Sequence, residues 1–146
     1  MKKEDRILIN QFKLLIHVLT TGKKTPVSYG SVKLYRAEAH ILEIIGKTEG
    51  ITSTDIVRKF DVTKGAVSQL ILKLCRKGLI AKRFREGNLK TQELSLTELG
   101  HDTLLAHEKH EHGLLVRIEP KLNQLSPAVT SQFAEIVRDI AEFIRN

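Results

Sequence analysis

The sequence predicts a mainly α-helical protein with one small β-hairpin, arranged as a winged helix-turn-helix. Three observations predict this fold. Apolar residues recur at helical spacing over most of the 146 residues. In the middle of the chain, a tight turn at Asp61 and Val62 separates two short helical segments. Two strand-like segments follow, and the residues Arg85-Glu86-Gly87-Asn88 join them as a turn, so a hairpin directly follows the helix pair.

Length and composition exclude several classes of protein. With 146 residues, 41% of them apolar, the chain is expected to form one globular domain, residues 1–146, rather than a disordered segment. Its single cysteine, Cys75, excludes a disulfide framework within the chain and agrees with a reducing, cytoplasmic setting. We find no run of about 18 uncharged apolar residues and no clean secretory signal, so no membrane span is expected.

The charge of the chain favours a polyanionic partner. The formal net charge is +7 at pH 7, which suits either nucleic acid or an anionic membrane surface. Membrane-surface binding would need a basic amphipathic helix, whereas the apolar helices here carry acidic and basic residues mixed together. We therefore expect nucleic acid, and no membrane, as the partner.

Helices are predicted on both sides of the central segment. Their expected spans are 4–20, 34–47, 97–122 and 126 onward. Gly22, Lys23, Lys24 and Pro26 end the first of these helices. The third either continues to Leu122 or breaks at Pro120. Ser126 is expected to cap the last helix, with Pro127 in its first position, where a missing N–H costs nothing.

The central segment carries the two helices of the helix-turn-helix. Ser53 or Thr54 is the expected N-cap of the first helix, and Thr63 that of the second, which runs from Lys64 to about Arg76. Gly78 ends this second helix. Its apolar residues lie on one face, which we expect to be buried: Val67, Leu70, Ile71, Leu74 and Cys75. Cys75 is thus predicted to be a small buried hydrophobe rather than a redox switch.

The outward face of the second helix has the chemistry for reading double-stranded DNA. The major groove admits an α-helix, and a Gln such as Gln69 can bond N6 and N7 of adenine together. Basic residues of the helix and the hairpin can contact phosphates or guanine. The predicted DNA-binding residues are Thr63, Lys64, Ser68, Gln69, Lys73, Arg76, Arg83, Arg85 and Lys90. The solvated face of any helix looks similar, so periodicity alone leaves DNA binding open.

From Ile51 to Gly100 the sequence resembles the MarR family of transcription regulators. The matching stretch is "GITSTDIVRKFDVTKGAVSQLILKLCRKGLIAKR", followed by "LSLTELG". The resemblance implies a homodimeric regulator, a repressor, that binds a pseudo-palindromic operator and is released or tuned by an effector. It also implies a DNA-binding lobe at residues 34–97, flanked by N- and C-terminal dimerisation helices within 1–21 and 98–146.

Two apolar stripes would supply the dimer contacts that the resemblance implies. They consist of Ile7, Leu8, Phe12 and Leu15 near one end of the chain and Phe133, Ile136, Ile140 and Phe143 near the other. Stripes of this width could equally close the core of one monomer, and the sequence pattern does not decide between the two.

The wing departs from the family pattern at its tip. Family members carry an Asp-x-Arg element there, and the matching positions here are Asn88 and Lys90. Lysine lacks the planar fork of arginine, so we expect a weaker contact of the wing tip with the minor groove. Arg83 matches the basic residue with which the family's wing begins.

An effector site is a further implication of the resemblance. Small aromatic or anionic molecules would bind between the dimer helices and the winged lobe, where Phe12, Ile16, Tyr35 and His40 are the candidate residues. The alternative for each of these residues is ordinary core packing.

Zinc is the second kind of effector that the sequence suggests. The resemblance extends to the zinc-responsive branch of the family, which uses His and Glu residues of these regions. His107 and Glu111, like Glu108 and His112, are four residues apart and therefore share a helix face that could chelate a metal; His40 is a further candidate ligand. A solvated charged face is the alternative, and apart from zinc no cofactor is expected.

The sequence argues against two other functional classes. An enzyme is not expected, because the chain lacks a Gly-rich phosphate loop, an H-E-x-x-H motif and a nucleophile motif. A winged helix that binds DNA without sequence preference is the other class, and Ser68 and Gln69 at base-reading positions argue against it.

Overall fold

The computed structural model describes residues 1–21, 25–60 and 62–145 of the chain. The helices are α1 (Lys3–Thr21), α2 (Arg36–Lys47), α3 (Ser53–Phe60), α4 (Lys64–Arg76), α5 (Glu98–Leu122) and α6 (Pro127–Arg145). The strands are β1 (Val27–Tyr29), β2 (Val32–Leu34), β3 (Ile80–Arg85) and β4 (Asn88–Leu96). The predicted turn residues Gly22, Lys23, Lys24 and Asp61 lie outside the described residues, as does Asn146.

This architecture confirms the predicted fold class. The chain is mainly helical, and α3, α4 and the antiparallel hairpin of β3 and β4 form a winged helix-turn-helix. The structure divides into two compact units, Met1–Thr103 and Leu104–Asn146. Within the first unit, the apolar core lies among α2, α3, α4 and the hairpin. Its fully buried side chains include Leu34, Leu42, Ile51, Ile56, Val67, Leu74 and Leu79.

The outer helices bury little apolar surface. In the second unit α6 buries none of its side chains, although its apolar residues follow helical spacing. In the first unit most of the apolar residues of α1 are exposed, and Phe12 and Ile16 are half-buried. No helix among the described residues is long and apolar enough to cross a membrane.

A short hairpin between α1 and α2 was not predicted. Strands β1 and β2 pair antiparallel from Val27 opposite Leu34 to Tyr29 opposite Val32, and Gly30 in the turn has a φ of 62°. The prediction that the second helix begins near Leu34 is therefore wrong by two residues, because Leu34 ends β2 and α2 begins at Arg36. Strands of three residues are too short to produce a readable alternation of polar and apolar positions.

The cap of α3 also differs from the prediction. Ser53 and Thr54 lie inside the helix, and Thr52 is the capping residue: its Oγ1 accepts a hydrogen bond from the Asp55 backbone N at 3.2 Å. The Asp55 carboxylate accepts hydrogen bonds from the Thr52 N and Oγ1 at 2.9 and 2.8 Å in return. These two bonds hold the pKa of Asp55 below its ordinary value of 3.8. Their stabilisation is therefore fully present above that value and is lost as the pH falls through the lowered pKa.

The caps predicted for α4 and α6 are confirmed. Thr63 Oγ1 accepts from Ala66 N at 3.2 Å, and Ser126 Oγ accepts from Val129 N at 3.4 Å. Gly78 follows α4 with a φ of 72°, a conformation that favours glycine. Cys75 is half-buried rather than buried, because it lies at the margin of the buried face of α4 that Val67, Ile71 and Leu74 form. Helix α5 continues through Pro120 to Leu122.

The start of α5 is joined closely to the end of α4. Thr97 donates hydrogen bonds from Oγ1 to the Gly78 carbonyl at 2.6 Å and from N to the Leu79 carbonyl at 3.0 Å. Its Oγ1 also accepts from Gly100 N at 3.0 Å and so caps α5. A Cβ on Gly100 would overlap the Leu79 carbonyl oxygen. Thr97 and Gly100, both in the "LSLTELG" stretch, thus bring the start of α5 into contact with the backbone that enters β3.

Candidate nucleic-acid interface

Helix α4, called the recognition helix below, presents its polar side chains to solvent. Its apolar face is buried through Val67, Ile71 and Leu74. All the predicted DNA-binding residues of this segment are exposed: Thr63, Lys64, Ser68, Gln69, Lys73 and Arg76. No acidic residue accompanies these cations on the helix. The exposed face is therefore positively charged, with two uncharged hydrogen-bonding side chains between the cations.

An ion pair holds the C-terminal end of the recognition helix. Lys77 Nζ lies 2.8 Å from Glu38 Oε2 and donates to the Lys33 carbonyl of β2 at 2.9 Å. The Glu38 side chain is only 2% exposed and also accepts from the Tyr35 backbone N at 2.8 Å at the start of α2. One lysine thus connects the end of the recognition helix to both α2 and β2.

The wing is fixed to the rest of the lobe through β4. Leu94 N donates to the Ile51 carbonyl at 2.8 Å, and Thr52 forms a β-bridge with Glu93. Arg85 Nε donates to Glu93 Oε1 at 2.6 Å, with the Gly50 carbonyl 3.5 Å from its Nη2. The guanidinium of Arg85 is therefore partly engaged within the wing, whereas Arg83 and Lys90 are exposed on the same hairpin.

The tip of the wing is a hydrogen-bonded turn. Gly87 has a φ of 74°, and Asn88 Oδ1 accepts from Lys90 N at 2.9 Å. Asn88 Nδ2 donates to Thr91 Oγ1 at 2.9 Å. These bonds use the Asn88 side chain to shape the turn, and Leu89 between them is 83% exposed.

Comparison with known proteins agrees with this arrangement. Residues 34–88, which span α2 to the tip of the wing, match the model of the MarR family. The winged helix of this chain is therefore similar to that of the MarR family. No curated protein sequence matches the chain.

Solved structures of MarR-family proteins share the fold over nearly the whole chain. A zinc-responsive MarR family member from Lactococcus lactis, ZitR, is 21% identical with a TM-score of 0.71 over 95% of this chain and 98% of its own. The adhesin competence repressor AdcR of Streptococcus pyogenes is 19% identical with a TM-score of 0.71 over the full length of both chains. FabT of Streptococcus pneumoniae, solved in complex with DNA, is 20% identical with a TM-score of 0.62 over 98% and 94%. At sequence identities this low, the structural similarity establishes the fold alone.

The residues predicted to bind an organic effector of a MarR-like regulator lie on two helices of the first unit. Phe12 and Ile16 are half-buried on α1, and Tyr35 and His40 are exposed at the start of α2 and within it. The His40 ring meets the Phe60 ring edge-on, with centroids 5.9 Å apart and an interplanar angle of 88°. His40 therefore has a packing role between α2 and α3, whatever else it binds.

The candidate metal ligands of α5 form two pairs. One pair combines a buried histidine with an exposed glutamate, and both members of the other pair are exposed. His107 Nε2 lies 3.5 Å from Glu111 Oε1, with His107 buried and the Glu111 side chain 56% exposed. These two ligand atoms are close enough to share one metal ion. Glu108 and His112 are both exposed. Tetrahedral zinc sites use three or four protein ligands, so the pair on α5 supplies part of such a set.

Three residues that shape the winged lobe were not predicted from the sequence. Glu38 and Lys77 are 39 positions apart, and no local pattern links them. Glu93 was read only as part of a strand, although its place opposite Arg83 and diagonal to Arg85 follows from the hairpin register. A cross-strand search for opposite charges would have found Glu93 once the register was known.

Proposed function

We propose that this protein is a transcription regulator of the MarR family that binds double-stranded DNA with sequence preference and acts in the cytoplasm as a homodimeric repressor, not as an enzyme. The observation that carries the proposal is the exposed face of the recognition helix. Ser68 and Gln69 lie there among cations, on the side of the helix away from the buried Val67, Ile71 and Leu74. FabT, a similar structure, was solved with DNA.

The homodimer rests on apolar side chains that a single chain leaves uncovered. On α1 these include Ile7, Leu8 and Leu15, and on α6 they include Phe133, Ile136 and Phe143. Exposed apolar stripes of this kind mark contacts with another protein surface. A two-fold dimer would present two recognition helices about 34–36 Å apart, so the operator should be a pseudo-palindrome.

Selection from random duplexes tests the proposal directly. The purified protein should enrich a pseudo-palindromic sequence, and fluorescence anisotropy at physiological salt should show tighter binding to it than to a scrambled duplex. Light scattering of the same sample should give the mass of two chains. Equal binding to the selected and scrambled duplexes would reject sequence-specific regulation.

Gln69→Ala is expected to weaken binding to the selected operator by about 1–3 kcal/mol and to relax one base position. The physical reason is the loss of a bidentate contact with one base edge. Anisotropy on the operator and on its single-base variants measures both effects. The control is Gln124→Ala, which removes an exposed glutamine from the turn between α5 and α6 and should change neither. An unchanged base preference in Gln69→Ala would place the reading residues elsewhere.

Arg83→Ala is expected to weaken binding to every duplex alike. A side chain that neutralises one phosphate contributes about one unit to the slope of log K against log salt concentration, and that unit should disappear. Titrations at several salt concentrations measure the slope, with Arg117→Ala on α5 as the matched control. A slope equal to that of the unmodified protein would mean that Arg83 does not contact a phosphate.

Release of the operator by an effector belongs to the same proposal. A small aromatic or anionic molecule near Phe12, Ile16, Tyr35 and His40 is one candidate. Binding of such a molecule should lower operator affinity, and Ile16→Ala should reduce that response while leaving effector-free DNA binding intact.

Zinc is the second candidate effector, favoured by the His107–Glu111 pair. The similar proteins ZitR and AdcR are zinc-responsive and zinc-dependent, respectively. The test is operator binding with chelator and with added zinc, together with calorimetric titration of zinc alone. His107→Ala and Glu111→Gln should abolish the zinc effect, whereas Glu108→Gln on the exposed neighbouring pair should not. Identical DNA binding with chelator and with zinc would reject zinc and leave the regulator proposal standing.

A further inference from the structure

The wing exposes an apolar side chain close to its tip. Leu89, the second residue of β4, is 83% exposed just after the turn that Glu86 and Gly87 form. Both polar atoms of the neighbouring Asn88 amide are engaged: Oδ1 accepts from Lys90 N, and Nδ2 donates to Thr91 Oγ1. The Asn88 side chain is thus committed to the shape of the wing tip, whereas Leu89 beside it projects into solvent.

The surroundings of Leu89 are basic. Four cationic residues, Lys82, Arg83, Arg85 and Lys90, lie on the hairpin, and all are exposed. Its two acidic residues are Glu86 and Glu93, and Glu93 is engaged by Arg85. An exposed apolar tip on a positively charged hairpin suits a polyanion with apolar surface. The hairpin directly follows the recognition helix, so a duplex bound by that helix would also lie close to the hairpin. We therefore take duplex DNA, rather than a membrane, as the polyanion that Leu89 contacts.

We propose that Leu89 is a minor-groove contact that selects A·T over G·C pairs beside the major-groove site. Leucine is one of the apolar residues that proteins insert into DNA from the minor groove. The guanine 2-amino group projects into this groove, whereas A·T pairs leave it free. An apolar side chain cannot hydrogen-bond to that amino group and would bury it unsatisfied.

This inference rests on the proposed function, and it differs from an electrostatic role for the wing tip. A leucine neutralises no phosphate, so its contribution to affinity should depend on the minor-groove pattern and not on salt concentration. The cations beside it supply the salt-dependent part.

The experiment compares two side chains of similar length at position 89. Leu89→Met keeps an apolar tip, and Leu89→Gln makes it polar. On the selected operator we expect Leu89→Gln to bind about fivefold to tenfold more weakly, which is less than full burial of a leucine would give because the groove covers only part of the side chain. Leu89→Met should stay within about twofold of the unmodified protein. The salt slope should be the same for all three proteins.

Base analogues isolate the minor groove without any change in the protein. An I·C pair shows the major-groove pattern of G·C but lacks the 2-amino group. At the operator positions beside the recognition-helix contacts, the unmodified protein should bind I·C and A·T more tightly than G·C, and Leu89→Gln should reduce this difference. With the unmodified protein alone, equal binding of I·C and G·C overturns the inference even if a variant folds poorly, and Leu89→Gln assigns any difference to Leu89.

The outcomes separate the inference from the proposed function. If the unmodified protein prefers its operator but treats I·C and G·C alike, or if Leu89→Gln binds as tightly as Leu89→Met, the role of Leu89 is overturned and the regulator stands. If the unmodified protein shows no sequence preference at all, both fail.

Discussion

Gly100→Ala is expected to lower the thermal stability of the protein sharply. The new Cβ would overlap the Leu79 carbonyl oxygen and approach the Leu96 Cβ to 3.4 Å. Relief requires α5 to move away from β3, which breaks the two hydrogen bonds from Thr97 to the Gly78 and Leu79 carbonyls. Overpacking typically costs about 1–3 kcal/mol and a lost helix cap about 1 kcal/mol more, so we expect a loss of about 2–4 kcal/mol.

The matched control is Gly113→Ala, a second glycine of the same helix. No atom lies within 4 Å of a Cβ built there. Alanine is the better helix former by roughly 1 kcal/mol, so this variant should be as stable as the unmodified protein or more stable. Thermal unfolding at one fixed protein concentration compares them, because the proposed homodimer would have a melting temperature that depends on concentration. If both variants melt alike, the close approach at Gly100 is not a constraint.

The roles of Gly78 and Gly100 differ in how far they can be predicted from the sequence. Gly78 and the cap at Thr63 were correctly predicted because their roles depend on neighbours within a few residues. Gly100 was read only as part of the motif that opens α5. Its constraint comes from Leu79, 21 positions earlier, and becomes visible only when β3 and α5 are placed side by side.

The candidate site divides in the same way. The exposed polar face of the recognition helix was predictable, since helical periodicity alone separates Gln69 from Val67 and Ile71. The engagement of Arg85 by Glu93 depends on the register of the hairpin, and the pairing of Lys77 with Glu38 depends on how α2 and α4 pack. The sequence therefore identifies the cationic residues. The tertiary structure is needed to see which of them are free of ion pairs and so available to DNA.

Lys77→Met is expected to destabilise the winged lobe because it leaves the Glu38 carboxylate buried without its cation. Glu38 is 2% exposed, and the remaining hydrogen bond from Tyr35 N does not neutralise its charge. Breaking one partner of a buried pair costs about 3–5 kcal/mol, and the lower end applies here because Lys77 keeps 32% of its side chain exposed. Urea unfolding measures the loss.

A double-mutant cycle distinguishes this charge effect from lost packing. Glu38→Gln keeps a carbonyl oxygen for Tyr35 N and removes the charge, so the double variant Glu38→Gln/Lys77→Met should recover most of what Lys77→Met loses. The control pair is exposed: Arg58 lies 3.9 Å from Asp55 with 74% of its side chain in solvent, and Arg58→Met should cost no more than about 0.5 kcal/mol. If the two losses at Glu38 and Lys77 simply add, the pair contributes through packing alone. If the double variant regains the free energy of unfolding that Lys77→Met loses, the charge of Glu38 is the reason that a cation is needed at position 77. The position of the recognition helix then depends on a contact with α2, which lies outside the helix-turn-helix.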